Sequence, residues 1–229
     1  MTASTAAPGP AGSSRDLVLG RVRAALADVP PGEAAADVPV VRDYRDAHRP
    51  DDPAALLDLL AENLADYRAI VHRTDEAGLP ATLARLLAEH GTRNAVVPPG
   101  LPPEWLGEIV GVELLAGAGP LDAARLDAVD SVLTGCAVAI AETGTLVLDG
   151  GDGQGRRMLT LVPDHHVCVV LAPEQVVASV PRALPRLDPA RPQTWISGPS
   201  ATSDIELSRV EGVHGPRTLE VVLVACDPR

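Results

Sequence analysis

The sequence contains no lysine and no phenylalanine, and each absence excludes a class of chemistry. All nineteen basic residues of the 229-residue chain are arginine, so no lysine is present to form a Schiff base or to bind phosphate in a nucleotide-binding loop. The two tryptophans and two tyrosines are too few for a surface on which nucleobases stack. The formal net charge of −12 would repel nucleic acid and anionic membranes. We therefore expect no polyanionic partner.

Cysteine is scarce as well. Cys136, Cys168 and Cys226 stand singly in apolar surroundings, without the close spacings that bind zinc or an iron–sulfur cluster. Free cysteine is among the most buried residue types, so we predict that all three belong to the core. We expect the chain by itself to bind no metal, flavin or nicotinamide.

Targeting and membrane signals are missing too. The first fourteen residues hold neither an early positive charge nor an apolar segment, so they do not resemble a signal peptide. No apolar run reaches the ~20 residues that span a bilayer. We predict a disordered N-terminus over 1–14, no membrane insertion and a cytoplasmic location.

Hydrophobic patterning divides the rest of the chain into an arm and a domain. Residues 15–50 predict one helix, capped by Ser13 or Ser14, followed by a proline-containing linker. Residues 51–229 alternate strand and helix patterns, which favours an α/β fold with a largely parallel, doubly wound sheet. The predicted strands are 69–72, 95–97, 112–115, 132–141, 145–148, 166–171, 194–197 and 219–225, and the predicted helices are 51–67, 80–90, 103–109, 123–129 and 173–183.

A lone carboxylate interrupts two apolar strand patterns at Glu142, within A-I-A-E-T-G-T-L-V-L. A charge in that position needs a partner or a chemical role. One interpretation is a turn residue whose carboxylate accepts backbone amides. The other is a nucleophile or base facing a cleft, and we assign Glu142 as a candidate catalytic residue.

The segment D-G-G-D-G-Q-G-R-R resembles a nucleotide-binding glycine loop only superficially. It lacks the final glycine spacing, and Asp149 and Asp152 would repel a pyrophosphate. We predict a hairpin or lid. Arg156 and Arg157, at its end, are either a solvated basic pair or a clamp for a substrate carboxylate.

Two adjacent histidines, His165 and His166, enter a predicted strand. Neighbouring residues of a strand point to opposite faces, so the pair cannot readily chelate one metal ion. We expect one ring to face a cleft and the other to pack inside the domain, and we assign His165 to substrate binding.

The most informative segment runs from Ser197 to Pro216 between two apolar strands, and it combines glycines, small hydroxyls, acids and a histidine. A turn at Gly198 followed by a helix capped by Ser200, Thr202 or Ser203 would offer backbone amides to a substrate carboxylate. Asp204 would lie in the first turn of that helix. His214, before Gly215 and Pro216, is either a structural turn residue or an acid or base.

Ser200, Asp204 and His214 also suggest a hydrolytic triad. The segment lacks the closing glycine of a nucleophile elbow, however, and Asp204 lies one helical turn from Ser200, a position that suits capping. We regard the triad as the weaker alternative.

Three motifs together resemble a known family. They are E-T-G-T-L-V-L from Glu142, L-V-P-D-H-H-V from Leu161, and I-S-G-P-S-A-T-S-D-I-E from Ile196 with V-H-G-P before Arg217. They look like the LUD domain of the lactate-utilisation protein C family, over roughly Asp51 to Arg229. Ser203 is a mild departure from the family pattern. The family's fold is similar to the sugar-isomerase and CoA-transferase-like α/β class.

The resemblance implies a subunit of a three-component system that oxidises L-lactate to pyruvate, with iron–sulfur clusters on two partner subunits and none on this chain. The expected ligand is a small carboxylate. Whether this chain is itself catalytic stays open. The alternatives are a stand-alone transferase or isomerase-like enzyme with Glu142 as nucleophile, and a structural scaffold subunit in which every polar motif is a cap or turn.

Overall fold

The computed structural model describes residues 13–30, 32, 39–41, 43, 45–48, 52–117, 119, 122–199, 201–202, 210–211 and 215–225. The chain divides into two compact units, Met1–Tyr44 and Arg45–Arg229. Residues 1–12 of the predicted disordered N-terminus lie outside the described residues. Among the residues that are described, no helix is both long and apolar enough to cross a membrane.

The first unit contains the predicted N-terminal helix, α1, over Ser14–Ala25. Ser13 and Asp16 form a reciprocal cap at its start. The Asp16 backbone N–H donates to Ser13 Oγ at 3.3 Å, and the Ser13 backbone N–H donates to Asp16 Oδ2 at 3.2 Å. This capping box satisfies two of the amides that a helix start leaves without partners.

The second unit contains four helices and twelve strands among its described residues. The helices are α2 Pro53–Asp66, α3 Leu79–His90, α4 Ala123–Asp127 and α5 Val180–Ala183. The strands are β1 Ile70–Asp75, β2 Asn94–Val97, β3 Glu113–Ala116, β4 Ser131–Thr134, β5 Val138–Ile140, β6 Thr145–Leu148, β7 His165–Ala172, β8 Val176–Val177, β9 Thr194–Ile196, β10 Ala201–Thr202, β11 Val210–Glu211 and β12 Thr218–Ala225.

Six parallel strands form the central sheet in the order β1-β12-β7-β4-β2-β3. The predicted α/β class with a largely parallel sheet is therefore confirmed. The two longest strands, β12 and β7, pair along eight residues, from Thr218 with His165 to Ala225 with Ala172. Their nearly continuous apolar sequences are typical of strands buried on both faces.

Local signals explain where the two longest helices of this unit begin and end. Asp52 caps α2 by accepting the backbone N–H of Ala55, and Pro53 occupies the first turn, where its missing N–H is not needed. Helix α3 ends at Gly91, whose φ of 74° is the left-handed conformation that glycine adopts without penalty.

Helix α3 covers one face of the central sheet. Four of its leucines pack against valines that project from β7 and β12 on that face: Leu79, Leu83, Leu86, Leu87, Val167, Val169, Val222 and Val224. Helix α2 and a second sheet contribute to the core on the other face. There the leucines of α2 join Leu146 of β6 and the side chains of β7 and β12 that alternate with the first set: Leu56, Leu60, Leu64, Cys168, Val170, Val221 and Leu223.

The second sheet has the order β8-β5-β6-β9, with β5-β6 and β6-β9 antiparallel. The single strand predicted over 132–141 is thus two strands, β4 and β5, in different sheets. The chain leaves the central sheet at Gly135, whose backbone N–H donates to the carbonyl of Gly153 at 2.8 Å instead of continuing the ladder.

The helix predicted over 173–183 is wrong. Its first half is the short strand β8, which pairs with β5, and only Val180–Ala183 is helical. The side chain of Gln175 accepts the Leu171 N–H and donates to the Cys136 carbonyl, both at 2.8 Å. These contacts hold the chain extended, and the β-branched pair Val176-Val177 suits a strand.

Candidate functional site

A cavity of about 330 Å³ lies between the two sheets. His166 and Leu219, the second residues of β7 and β12, line it on one side, and β9 lines the opposite side. We call it the inter-sheet cavity. Its lining residues are Arg157, Thr160, Leu161, His166, Gln193, Thr194, Trp195, Ile196, Ser197, Gly198, Pro199, Gly215, Pro216 and Leu219. This volume is at the lower end of the ~300–1,000 Å³ that is usual for ligand pockets.

His166 is the buried polar residue of the inter-sheet cavity. Its Nε2 lies 2.8 Å from Thr134 Oγ1 on the neighbouring strand β4. Its Nδ1 is buried and has no hydrogen-bond partner among the described residues. Burial, and then the proximity of His165, lowers the pKa of His166 to about 3. The ring is therefore neutral near neutral pH, and one of its two nitrogens has no hydrogen-bond partner among the described residues.

His165 lies on the opposite face of the central sheet and does not line the inter-sheet cavity. Its Nδ1 is 2.8 Å from Ser131 Oγ, and its Nε2 is 3.0 Å from Glu220 Oε1. The other oxygen of Glu220 lies 2.6 Å from His72 Nε2. His90 stacks on the His165 ring with a centroid distance of 3.7 Å. His165 is thus fully buried in a polar network that joins β1, β12, β7 and β4.

Glu220 is the acid of this network, and its carboxylate is 10% exposed. Burial acts to raise its pKa, but the hydrogen bonds from His165 and His72 outweigh burial and hold the pKa of Glu220 below its usual value. The carboxylate is therefore ionised near neutral pH. A Ser131–His165–Glu220 arrangement has the bonding order of a hydrolytic triad, but Ser131 and His165 are both 0% exposed. The Ser131 hydroxyl is already hydrogen-bonded to Thr92 Oγ1 and to His165 Nδ1, so the network joins the strands of the sheet.

Glu142 sits in a short 3-10 turn, Ala141–Thr143, between β5 and β6. Its Oε1 accepts the backbone N–H of His48 at 2.7 Å, and its Oε2 lies 3.1 Å from His48 Nδ1. The side chain is 16% exposed. Glu142 is absent from the described residues that line the inter-sheet cavity. The carboxylate thus meets a backbone amide, as the turn interpretation expects, and its catalytic role stays a prediction.

The glycine-rich segment after β6 is an ordered turn. The backbone N–H of Asp149 donates to Gln154 Oε1 at 2.7 Å, and that of Gly151 donates to Asp149 Oδ1 at 3.0 Å. Arg191 Nη1 lies 3.2 Å from Asp149 Oδ2. Asp149 makes these contacts, and Asp152 is exposed. The segment therefore does not have the geometry of a phosphate-binding loop.

The two predicted arginines behave differently. Arg157 begins a 3-10 turn, Arg157–Thr160, and lines the inter-sheet cavity, whereas Arg156 does not. Both line a second cavity of about 490 Å³, together with Arg191. Thr160 and Thr194 border both cavities, so the two spaces adjoin. The structure therefore places Arg157 at the boundary between the two cavities.

The C-terminal loop is described only in part. Gly198 has φ 80° and lines the inter-sheet cavity. Residues 201–202, including Thr202, form β10, which pairs antiparallel with β11. The helix predicted to start near Ser200 is therefore not present at Thr202, and no helix start offers its amides there. Ser200, Asp204 and His214 lie outside the described residues, and their predicted roles stay predictions.

The cavity lies at the amino ends of β7 and β12, because His166 and Leu219 are the second residues of those strands. Open α/β sheets more commonly bind ligands at the carboxyl ends. The sequence pattern assigns His165 to substrate binding, whereas the structure places His166 against the inter-sheet cavity. The adjacent pair was a signal for one inward ring, but only the packing of the two faces decides which ring meets the cavity.

This two-sheet architecture is that of a LUD-domain protein, and the family model described as the LUD domain matches residues 122–224. The chain is 47% identical to lactate utilization protein C of Deinococcus radiodurans over 75% of this chain and 80% of that protein. It is 28% identical to the protein of the same name from Halalkalibacterium halodurans over 70% of this chain and 75% of that one. A solved structure of a DUF162 family protein from Deinococcus radiodurans matches with a TM-score of 0.65 and 41% identity, covering 76% of this chain and 99% of that chain. The chain belongs to the lactate utilization protein C family.

Proposed function

We propose that the chain is the clusterless subunit of a three-component system that oxidises L-lactate to pyruvate. The observation that carries the proposal is the 47% identity to a protein named lactate utilization protein C over most of both chains. The oxidation removes two electrons and two protons from lactate. In the proposal the electrons pass to iron–sulfur clusters on two partner subunits, and this chain contributes to substrate binding and proton transfer.

The arrangement of cysteine supports placing the clusters on partner subunits. Cys136 and Cys168 are buried in the apolar core beneath α2, and the hydrogen bond with Cys168, followed by burial, raises the pKa of the Cys136 thiol. A thiol held protonated in an apolar core is a poor ligand for iron. Cys226 lies outside the described residues. The proposed electron path therefore begins at the substrate and ends on partner subunits.

The proposed acid–base residues are Glu142 and His214. Glu142 would act as a base through its carboxylate, and the His214 imidazole would act as an acid or base near neutral pH. Of the two predicted arginines, Arg157 is the proposed counterion of the substrate carboxylate, since a guanidinium binds a carboxylate in bidentate fashion and Arg156 does not line the inter-sheet cavity. The contact between Arg157 and the inter-sheet cavity supports its part of this assignment.

Complementation tests the proposed function. The gene is introduced into a bacterium whose growth on L-lactate depends on its own lactate utilization protein C, after that gene has been deleted. We expect growth on L-lactate to return when this chain is expressed with its two proposed iron–sulfur partner subunits, while growth on glucose stays unchanged throughout. Failure to restore growth despite soluble expression of all three chains would overturn the proposal. Affinity purification of the tagged chain should also recover both partner subunits.

A further inference from the structure

The inter-sheet cavity has the features of a ligand site whose main polar contact is not yet made. His166 Nδ1 is buried and has no partner among the described residues. A buried polar nitrogen without a hydrogen bond costs folding free energy, and native proteins retain few of them. A ligand that bonds to Nδ1 would remove that cost in the bound state.

The charge of the described lining residues also favours one kind of ligand. Its described residues include the guanidinium of Arg157 and no aspartate or glutamate, although the whole chain carries 31 acidic residues. Arg157 forms no ion pair with any described residue, whereas its neighbour Arg156 is already engaged. A cation without an ion pair among the described residues, beside a cavity whose described lining holds no acid, favours an anionic ligand.

The size of the inter-sheet cavity and its apolar lining indicate what kind of anionic ligand it fits. The volume of about 330 Å³ admits a small molecule, and Leu161, Ile196 and Leu219 supply apolar surface beside His166. Such a lining suits a short hydrocarbon group. Three groups of such a ligand would find partners in the cavity. A carboxylate matches the Arg157 guanidinium, an oxygen on the adjacent carbon matches the His166 imidazole, and a methyl group matches the apolar residues.

We propose that the inter-sheet cavity binds a three-carbon 2-hydroxy or 2-oxo monocarboxylate, with His166 Nδ1 bonded to the oxygen at C2 and Arg157 bound to the carboxylate. The choice of L-lactate and pyruvate as the members of this class rests on the proposed function. The cavity itself is assigned from its own geometry. His166 and Arg157 are binding residues in this assignment, since no bond is made or broken by them.

The tautomer of His166 decides which of the two acids binds better. If Nε2 carries the hydrogen and donates to Thr134 Oγ1, the bare Nδ1 accepts from the hydroxyl of lactate. If Thr134 donates to Nε2, Nδ1 carries the hydrogen and donates to the carbonyl of pyruvate. The low pKa of His166 supports both cases equally, because the ring is neutral in each.

Nitrogen NMR on the full chain labelled at its histidines tests the assignment. L-lactate, pyruvate and propionate are titrated separately, and propionate lacks an oxygen at C2. We expect lactate or pyruvate to shift the His166 Nδ1 signal strongly and the Nε2 signal, which Thr134 holds, much less. Propionate should bind at least tenfold more weakly and leave Nδ1 nearly unshifted. Unshifted His166 signals with both C2-oxygenated acids up to the highest soluble concentration would overturn the proposal.

Arg157→Gln and Arg156→Gln form a matched pair of variants. Both remove one exposed arginine from the same turn, but only Arg157 lines the inter-sheet cavity. We expect R157Q to raise the dissociation constant at least tenfold and R156Q to change it less than twofold. Equal effects of the two variants would overturn the role of Arg157, and neither substitution alters a buried side chain. His166→Gln should abolish the C2-oxygen preference, and circular dichroism shows whether that variant folds.

The two proposals fail in different ways. If complementation succeeds while His166 does not respond to either acid, the site is wrong and the proposed function stands. If His166 and Arg157 bind a C2-oxygenated acid while growth on lactate is not restored, the site stands and the lactate-oxidation system is wrong.

Discussion

The adjacent residues His165 and His166 of β7 have different roles in this protein. His165 is hydrogen-bonded on both ring nitrogens, to Ser131 and Glu220, and serves the packing between strands. Among the described residues, His166 has a hydrogen-bond partner on one nitrogen only, and it lines the inter-sheet cavity. Because the pleat sends neighbouring side chains to opposite faces, one dipeptide supplies both a structural and a binding residue.

We predict that His166 makes the protein less stable in mild acid. The folded pKa is about 3 and the unfolded pKa is 6.5, so below pH 6.5 the unfolded chain binds a proton that the folded chain excludes. The contribution is fully present above pH 6.5 and falls by roughly 1.4 kcal/mol per pH unit as the pH drops toward 3.

Urea denaturation of the wild type and His166→Gln at pH 7 and pH 5 measures this contribution, since the variant lacks the titrating group. Other groups titrate in both proteins and cancel in the comparison. The free energy of unfolding should fall by about 2 kcal/mol more for the wild type than for the variant. Equal losses in the two proteins would show that His166 is not held neutral.

For Glu142 we predict that Glu142→Gln leaves the fold intact and lowers the activity of the reconstituted lactate-oxidising system roughly 10²-fold. Glutamine keeps an oxygen that accepts the His48 backbone N–H, now 2.7 Å from Glu142 Oε1. It removes the charge and basicity that proton transfer needs. Activity is measured per folded molecule, and melting temperature reports on the fold.

His48→Ala is the matched control for Glu142→Gln. It removes the ring that lies 3.1 Å from the carboxylate but keeps the backbone amide and the acid itself, so activity should stay near that of the wild type. If Glu142→Gln instead lowers the melting temperature by many degrees and leaves activity per folded molecule unchanged, Glu142 is a structural turn residue.

At the scale of elements, the cavity depends on how closely the end of β9 approaches the end of α2. Gly198 follows β9 with φ 80°, and a Cβ placed there would overlap the carbonyl oxygen of Tyr67, the C-cap residue of α2. Glycine is thus required twice, for its backbone angle and for its lack of a side chain.

We predict that Gly198→Ala destabilises the protein by about 2 kcal/mol or more, because it combines the left-handed penalty with a backbone clash. Gly91→Ala is the control. Gly91 also has a positive φ, of 74°, but nothing lies within 4 Å of its added Cβ, so only the ~1–2 kcal/mol of the backbone angle should be lost. Urea denaturation of both variants gives the comparison. Equal losses would mean that β9 and α2 do not approach as closely as described.

At the scale of the whole molecule, the polar network around Glu220 and the apolar core have different structural roles. The core clusters hold α2 and α3 on opposite faces of the central sheet. The Glu220 network satisfies buried polar groups at the amino ends of four strands of that sheet. Polar networks of this kind specify register, because a one-residue slip would leave each member without its partner.

Because the proposed complex carries its iron–sulfur clusters on the partner subunits, the proposal predicts the optical properties of the isolated chain. With no lysine for a Schiff base and with Cys136 and Cys168 in the core, the chain purified alone should be colourless and free of stoichiometric iron, flavin and nicotinamide. Co-purification with the partner subunits should add the visible absorption of iron–sulfur clusters. A visible band that survives desalting of the isolated chain would contradict this prediction.

Most elements of the fold follow from short-range signals in the sequence. Asp52 with Pro53 marks the start of α2, Gly91 marks the end of α3, and apolar runs mark β7 and β12. The alternation of these elements led to the α/β class and the mostly parallel sheet. Capping, helix termination and burial of apolar residues act within a few residues, so a linear pattern records them.

Only the tertiary structure decided which strands share a sheet and which polar residues share a cavity. The break between β4 and β5 depends on the distant Gly153, and the strand at Val176 depends on pairing with β5. The choice of His166 over His165 depends on which face of β7 meets β9 and which meets α3. The sequence by itself determined composition, charge and the local course of the chain. Contacts between residues far apart in sequence determined the site, because hydrogen bonding and burial depend on distance in space.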